Sequence, residues 1–154
     1  MRCMSDAHEA IRNLLGRYCE LMDEGDFDGL AALFDQGRLC DEFGSVFSTG
    51  SEQMAKMWRG QTMVYDGSPR TKHVTVNSII HVDEEAGTAT ARSSYVVFQG
   101  LAGHAASLLP LQPIITGRYW DSFGRAADGS WHFTERRYLI DHQGNLSHHL
   151  SRTL

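Results

Sequence analysis

The stretch IRNLLGRYCELMD, residues 11–23, and the stretch TKHVTVN, residues 71–77, decide the fold of this chain. In the first, apolar residues recur at the spacing of one helix face, and the stretch ends in the carboxylate of Asp23. In the second, polar and apolar residues alternate as in a β-strand, and His73 is its third residue. A carboxylate can orient an imidazole and stabilise its charged form, so the two stretches together predict a general base.

Helical periodicity covers the first part of the chain. The apolar stripe of the first helix leaves Asp23 at its edge, from where the side chain turns either into a cavity or out to solvent. Gly25 ends this helix, and Asp26 is placed to cap a short second one. A strand or hairpin is predicted over residues 38–49 and a third helix over residues 51–65.

The second half of the chain has the composition and alternation of β-strands. Four are predicted, at residues 72–82, 88–99, 114–123 and 131–141. Between the second and third lies an apolar loop with two prolines, residues 100–113, long enough for a lid or an interface. Three helices followed by long, mostly antiparallel strands predict an α+β fold in which a curved sheet wraps over the helices. The length fits one domain over residues 1–154.

Alternation assigns the residues of the strand at 72–82 to two faces. One face carries Val74, Val76, Ile80 and Val82, and the other carries His73, Thr75, Asn77 and Ile79. The mixed polar face is the one expected to line a cavity, which favours a pocket role for His73. Asn77 lies further along the same face and is expected to hydrogen-bond a substrate or to serve the structure.

Composition excludes several classes of function. The chain has 154 residues, a formal net charge of −5 and a pI near 5.9, and its basic residues are scattered, so no nucleic acid or anionic membrane surface is indicated. No segment approaches the roughly 20 apolar residues that cross a bilayer. Three cysteines, Cys3, Cys19 and Cys40, fit reduced thiols and a cytoplasmic protein.

No cofactor or metal is indicated by the motifs. The sequence lacks a phosphate-binding P-loop, a dinucleotide-binding glycine fingerprint and a zinc-binding His-Glu-x-x-His motif. His142, His148 and His149 lie close together near the C-terminus, but two of them are adjacent in sequence and cannot easily converge on one ion. They are interpreted as a polar tail.

The order and spacing of several motifs carry a resemblance to a known family. These are the opening helix pair with Tyr18, Asp23 and Leu33-Phe34, the stretch TKHVTVN, the stretch GRYWDSF at 117–123 and the closing DGSWHF at 128–133. In these features the chain resembles the SnoaL-like branch of the nuclear transport factor 2-like superfamily. The resemblance implies a cone-shaped, curved antiparallel sheet around N-terminal helices, with a deep pocket for a small, largely apolar molecule.

The resemblance also implies an activity. Scytalone dehydratase, hexachlorocyclohexane dehydrochlorinase and the bile-acid 7α-dehydratases use an Asp-His pair, and Asp23 and His73 hold the matching positions. Tyr18 matches a pocket tyrosine of the bile-acid enzymes, whereas Val97 stands where these dehydratases carry a polar residue on the next strand. The resemblance thus predicts a cofactor-free lyase, or an isomerase, acting on a small hydrophobic ring compound.

Further pocket residues are predicted with an alternative for each. Tyr18 is either a core aromatic or a pocket hydroxyl, and Trp58 and Phe98 are either pocket walls or ordinary core. Arg118 and Tyr119 alternate across the sheet, so one of them faces the pocket, and we favour Tyr119.

Two other functions stay open at this point. The domain could be a non-catalytic binding or assembly subunit, like the β subunits of ring-hydroxylating dioxygenases. It could also be a polyketide cyclase or epoxide hydrolase, for which a second carboxylate in the pocket, Asp41 or Asp121, would speak. The apolar Leu108-Leu-Pro-Leu111 segment needs burial somewhere, which favours a dimer or trimer.

Overall fold

The computed structural model describes residues 4–101 and 110–151. Within them, three helices and six strands follow one another along the chain. The helices are α1 (Met4–Glu24), α2 (Phe27–Ala32) and α3 (Ser51–Gln61). The strands are β1 (Arg38–Cys40), β2 (Val46–Thr49), β3 (Thr71–Asp83), β4 (Thr88–Gly100), β5 (Leu111–Arg125) and β6 (Trp131–Gln143).

All six strands join one curved sheet in the order β2-β1-β6-β5-β4-β3. The long strands β3 to β6 pair antiparallel, and so do β1 and β2. Only the β1–β6 pair among them is parallel, so the predicted antiparallel sheet is in fact mixed. The α+β class is confirmed, with helices packed on one curved sheet.

The helix stripe read from the sequence is the face that α1 buries against the sheet. Four of its members, Ile11, Leu15, Tyr18 and Met22, are at most 5% exposed, and the fifth, Leu14, is partly buried against the same core. Gly25 ends α1 with a φ of 75°, a left-handed conformation that glycine adopts without the steric cost of a side chain. This end fixes where the last turn of α1, and with it Asp23, meets the start of β3.

An irregularity in β3 reverses the predicted faces of its second half. The pairing with β4 shifts between Val76 and Ile79, and Asn77 has a φ of 55°. Beyond the shift, Ile80 packs against the core while Ile79 is 52% exposed. The predicted alternation was wrong from here on, because an extra residue in one strand moves every later side chain to the opposite face.

The predicted loop at residues 100–113 is shorter than expected. Its two ends continue the β4–β5 ladder, in which Gly100 pairs with Leu111. Residues 102–109, most of the apolar segment, lie outside the described part of the chain, and the predicted dimer or trimer stays a prediction.

Two cysteines are described, and both are buried free thiols, Cys19 and Cys40. Cys3 lies outside the described residues. Among the helices in the described ranges, none has the length and apolarity needed to cross a membrane.

Candidate functional site

The end of α1 and the start of β3 bring Asp23 and His73 into contact. The Asp23 Oδ1 atom lies 2.6 Å from His73 Nδ1, and the backbone N–H of His73 also donates to the same carboxylate, 3.0 Å from Oδ2. The Thr71 hydroxyl donates a third hydrogen bond to Oδ1 at 2.8 Å. Strand β3 therefore holds the Asp23 carboxylate through one backbone N–H group and two side chains.

This arrangement sets the chemistry of the His73 ring. An acceptor at Nδ1 keeps the proton on that nitrogen, which leaves the lone pair on Nε2 free to take a proton. Both side chains are close to fully buried, at 8% exposure for His73 and 10% for Asp23. The pair is a shielded imidazole–carboxylate contact, with His73 at the wall of a cavity.

The cavity lies between the helices and the concave face of the sheet and has a volume of about 370 Å³. Most of its wall is aromatic or aliphatic. His73 lines it, and so do Tyr18, Trp58, Val97 and Tyr119, which were predicted from the sequence. The remaining lining residues are Met22, Asp41, Phe47, Met57, Gln61, Thr62, Tyr95, Ile115, Tyr138, Ile140, His149 and Leu150. A cavity of this size and character suits a small, largely apolar molecule.

Two residues predicted for the pocket lie elsewhere. Asn77 is exposed at the β3 bulge, because the left-handed turn there carries it away from the cavity. Phe98 follows Val97 on β4, and since neighbouring side chains in a strand point to opposite faces, it turns away from the cavity that Val97 lines. Arg118 is also outside, where it pairs with Asp141 at 2.8 Å.

An aromatic cluster beside the cavity encloses a buried ion pair. Arg136 and Asp121 make two hydrogen bonds, of 2.7 and 2.8 Å, with both side chains completely buried. The guanidinium stacks on the rings of Tyr18 and Tyr119, 4.0 and 3.8 Å from their centroids. Burial alone would lower the pKa of Arg136, but the charge and hydrogen bonds of Asp121 raise it well above its ordinary value, so the cation persists.

This cation lies behind two tyrosine hydroxyls at the cavity. The hydroxyls of Tyr18 and Tyr138 are 2.8 Å apart and hydrogen-bonded to each other. Burial raises the pKa of both phenols, so both stay protonated at neutral pH. One of the two protons is used in the bond between them, which leaves the other to be donated to an oxygen. Two carboxylates were candidates for a cyclase. Asp121 is paired with Arg136 and completely buried, whereas Asp41 lines the cavity.

His149 is a cavity residue that the sequence reasoning missed. It was assigned to a polar tail, but it is 6% exposed and its ring centroid lies 6.3 Å from that of His73. Burial, together with the neighbouring His73, lowers the pKa of His149 to about 4. The sequence did offer a signal for its burial. Leu146 lies three residues before His149 and Leu150 directly follows it, a spacing that puts the three side chains on one buried face.

Metal binding was also considered for the site. Within residues 4–101 and 110–151, no group of three or more His, Cys, Asp or Glu side chains is arranged to hold an ion.

Comparison with known structures supports the fold. An NTF2-like protein with a cystatin-like fold from Novosphingobium aromaticivorans is 24% identical, with a TM-score of 0.70 over 92% of this chain and 86% of that one. A candidate scytalone dehydratase from the same organism is 22% identical, with a TM-score of 0.69 over 92% and 91%. The β subunit of a candidate aromatic-ring-hydroxylating dioxygenase, again from that organism, is 17% identical, with a TM-score of 0.67 over 91% and 92%.

At these identities the neighbours establish a shared fold and nothing about activity. No curated protein matches the sequence at a significant level. The SnoaL-like domain model, however, matches residues 4–137, which is most of the chain. The match spans α1 through most of β6 and so includes both Asp23 and His73. The chain therefore belongs to the family of SnoaL-like domains.

Proposed function

We propose that this protein is a cofactor-free lyase or isomerase that removes a carbon-bound proton from a small hydrophobic ring compound. The observation that carries the proposal is the Asp23–His73 pair at the wall of an apolar cavity, with a 2.6 Å contact at Nδ1. Asp23 holds the ring and stabilises the imidazolium that forms. The hydrogen-bonded hydroxyl pair of Tyr18 and Tyr138, which has one free proton, is the candidate donor to an oxygen that gains negative charge.

The proposed step conserves atoms and electrons. Nε2 of His73 takes a proton from a carbon next to a carbonyl group, and the electron pair of the broken C–H bond passes into an enolate. In a lyase this pair then forms the C=C bond while the C–O bond on the neighbouring carbon breaks. The departing oxygen takes its bonding pair and receives the proton from His73, so water is lost. In an isomerase the same proton returns at another carbon.

Proton exchange tests the base independently of any leaving group. The probe is 2-tetralone, a bicyclic ketone, in D₂O, with deuterium uptake at the carbon next to the carbonyl followed by NMR. We expect the wild-type protein to accelerate exchange over buffer, and His73→Ala and Asp23→Asn each to reduce the acceleration by about 100-fold or more.

The matched control is Glu24→Gln. Glu24 is the next residue of α1 and also carries a carboxylate, but it is exposed. We expect this variant to exchange at the wild-type rate with unchanged circular dichroism. Wild-type exchange rates in Asp23→Asn or His73→Ala would refute the general-base proposal.

A carboxylate-led cyclase is the second candidate, because Asp41 lines the cavity. Oδ1 of Asp41 already accepts the backbone N–H groups of Phe43 and Ser45, at 2.9 and 2.8 Å, which ties the carboxylate to its own turn. This engagement favours the histidine base. A binding or assembly role without chemistry would give ketone binding with no exchange above buffer.

A further inference from the structure

The C-terminal segment carries His149 to the cavity along a fixed path. The backbone N–H of Met63, just after α3, donates to the His149 carbonyl at 2.8 Å, and Thr62 bridges to Leu150. On the preceding residue, the side-chain amide of Gln99 donates to the His148 carbonyl, also at 2.8 Å. Because backbone atoms on both sides of the side chain are held, the direction of the His149 ring is set by the fold.

The ring is buried with an unpaired nitrogen. His149 is 6% exposed, and its Nδ1 atom is enclosed without a hydrogen-bond partner among the described residues. An enclosed polar atom without a partner costs about 1–3 kcal/mol, and such atoms in folded proteins call for an explanation. No molecule in the cavity reaches the enclosed Nδ1. The ring itself lines the cavity, however, and its other nitrogen, Nε2, is not enclosed in this way and has no hydrogen bond to a described residue, so a bound molecule can contact the ring at Nε2.

The ring is also uncharged at neutral pH. Burial, and then the proximity of His73, hold the pKa of His149 near 4. A neutral imidazole has one N–H donor and one acceptor nitrogen, so it can donate to a carbonyl oxygen without placing a second charge beside the base. It would be a poor proton source, since losing its remaining N–H proton is far harder than losing the proton of an imidazolium.

The position of the ring suits an oxygen next to the reacting carbon. The centroids of His149 and His73 are 6.3 Å apart, and both rings line the same cavity. The residue paired with His73 on β4 is Val97, so the neighbouring strand offers an apolar side chain there. A carbonyl oxygen and the carbon beside it belong to one small group, which can contact both rings at once.

We propose that His149 is a substrate-binding residue that hydrogen-bonds the carbonyl oxygen of a cyclic ketone whose neighbouring C–H faces His73. The assignment of the C–H to His73 rests on the function proposed above, whereas the oxygen contact can be measured by binding alone. The ligand class is a one- or two-ring ketone, including hydroxy ketones that lose water from the carbon next to the acidic one.

The test compares two probes that differ in one oxygen. They are 2-tetralone and tetralin, its hydrocarbon counterpart, titrated into the protein with the methyl NMR signals of Met22 and Met57 as reporters, since both residues line the cavity. His149→Phe keeps a planar ring without nitrogens, and His149→Gln keeps a side-chain donor. His81→Gln, at an exposed position on β3, is the matched control.

We expect His149→Phe to weaken 2-tetralone binding about five- to tenfold and to leave tetralin binding within twofold of wild type. His149→Gln should recover part of the ketone affinity, and His81→Gln should bind both probes as the wild type does. This selective loss separates an oxygen contact from a change in cavity shape, which would weaken both probes alike.

Three outcomes would overturn the assignment: an equal loss for both probes, unchanged ketone affinity in His149→Phe, or no binding of 2-tetralone to the wild type. Failure of the proposed function has a different signature. If ketone binding depends on His149 but the wild type exchanges no deuterium, the oxygen contact stands and the general-base proposal falls.

Discussion

Replacing His149 should change how the stability of the fold depends on pH. The pKa of its imidazole is about 4 in the folded protein, against an ordinary value of 6.5, because burial and then His73 disfavour the charged ring. Between these two values the unfolded chain binds a proton that the folded chain does not. Stability is therefore fully present above pH 6.5 and is lost as the pH falls toward 4.

The expected magnitude is set by the size of this shift. In the middle of the window each pH unit lowers the free energy of unfolding by up to about 1.4 kcal/mol. Because the slope is smaller near either pKa, a fall from pH 6.5 to 4.5 removes about 2 kcal/mol through His149. His149→Gln has no such group to titrate. Its free energy of unfolding should fall less steeply than that of the wild type, by up to about 1.4 kcal/mol per pH unit in the middle of the window.

Urea unfolding followed by tryptophan fluorescence at pH 7.5, 6.5, 5.5 and 4.5 measures this difference. Only the slopes are compared, so any change that glutamine makes to stability at neutral pH drops out. All other residues are the same in both proteins, and His81→Gln controls for the loss of an exposed histidine. Parallel curves for His149→Gln and wild type, within about 0.5 kcal/mol, would show that the ring titrates normally and would refute the reasoning.

Three further substitutions test other parts of the structure. Arg136→Met should lower the free energy of unfolding, measured by urea unfolding, by about 3–5 kcal/mol, because Asp121 is left buried and unpaired. The double variant Arg136→Met, Asp121→Leu should regain most of this lost stability. Gly117→Ala should cost about 1–3 kcal/mol, seen as a lower melting temperature, because its new methyl would collide with the backbone carbonyl oxygen of Leu139 and press on the Tyr95 ring. Asp41→Asn should slow deuterium exchange by less than tenfold; a loss of 100-fold would favour the cyclase.

The helical part of the chain could be predicted because its signals are local. The stripe through Ile11 and Tyr18 has a single period, and Gly25 and Asp26 are residues whose own conformations end one helix and begin the next. The Asp26 side chain accepts from the backbone N–H of Gly29, as a cap does. The position of Asp23 at the last turn of α1 follows from these same signals.

The face of a strand residue is less secure, since one bulge reverses it. The period of two residues in a strand predicted that Asn77 lies on the same face as His73. That period is broken at Asn77 itself, which has a left-handed conformation within the strand. Asparagine adopts this conformation more readily than most residues, but its type alone does not announce a bulge. His73 was placed correctly because it precedes the irregularity.

The buried cation could not be read from sequence at all. Arg136 stands between Glu135 and Arg137, a charged run that is typical of a solvated strand face. Its burial depends on Asp121, which lies directly across from it on β5 and was itself weighed as a catalytic carboxylate. Only the pairing of β5 with β6 shows that each of the two charges is buried because the other neutralises it.

The buried polar groups of the concave face differ in how well the fold itself explains them. Asp23 accepts three hydrogen bonds from β3, and Asp121 accepts from Nε and Nη2 of Arg136, so both carboxylates have partners within the chain. His149 is held by its backbone, has a pKa lowered by burial, and has an enclosed nitrogen with no partner in the described chain. Local rules are broken in this way at functional sites. Because the ring also lines the cavity and its side chain makes no hydrogen bond to a described residue, it supports a ligand contact here independently of the Asp23–His73 pair.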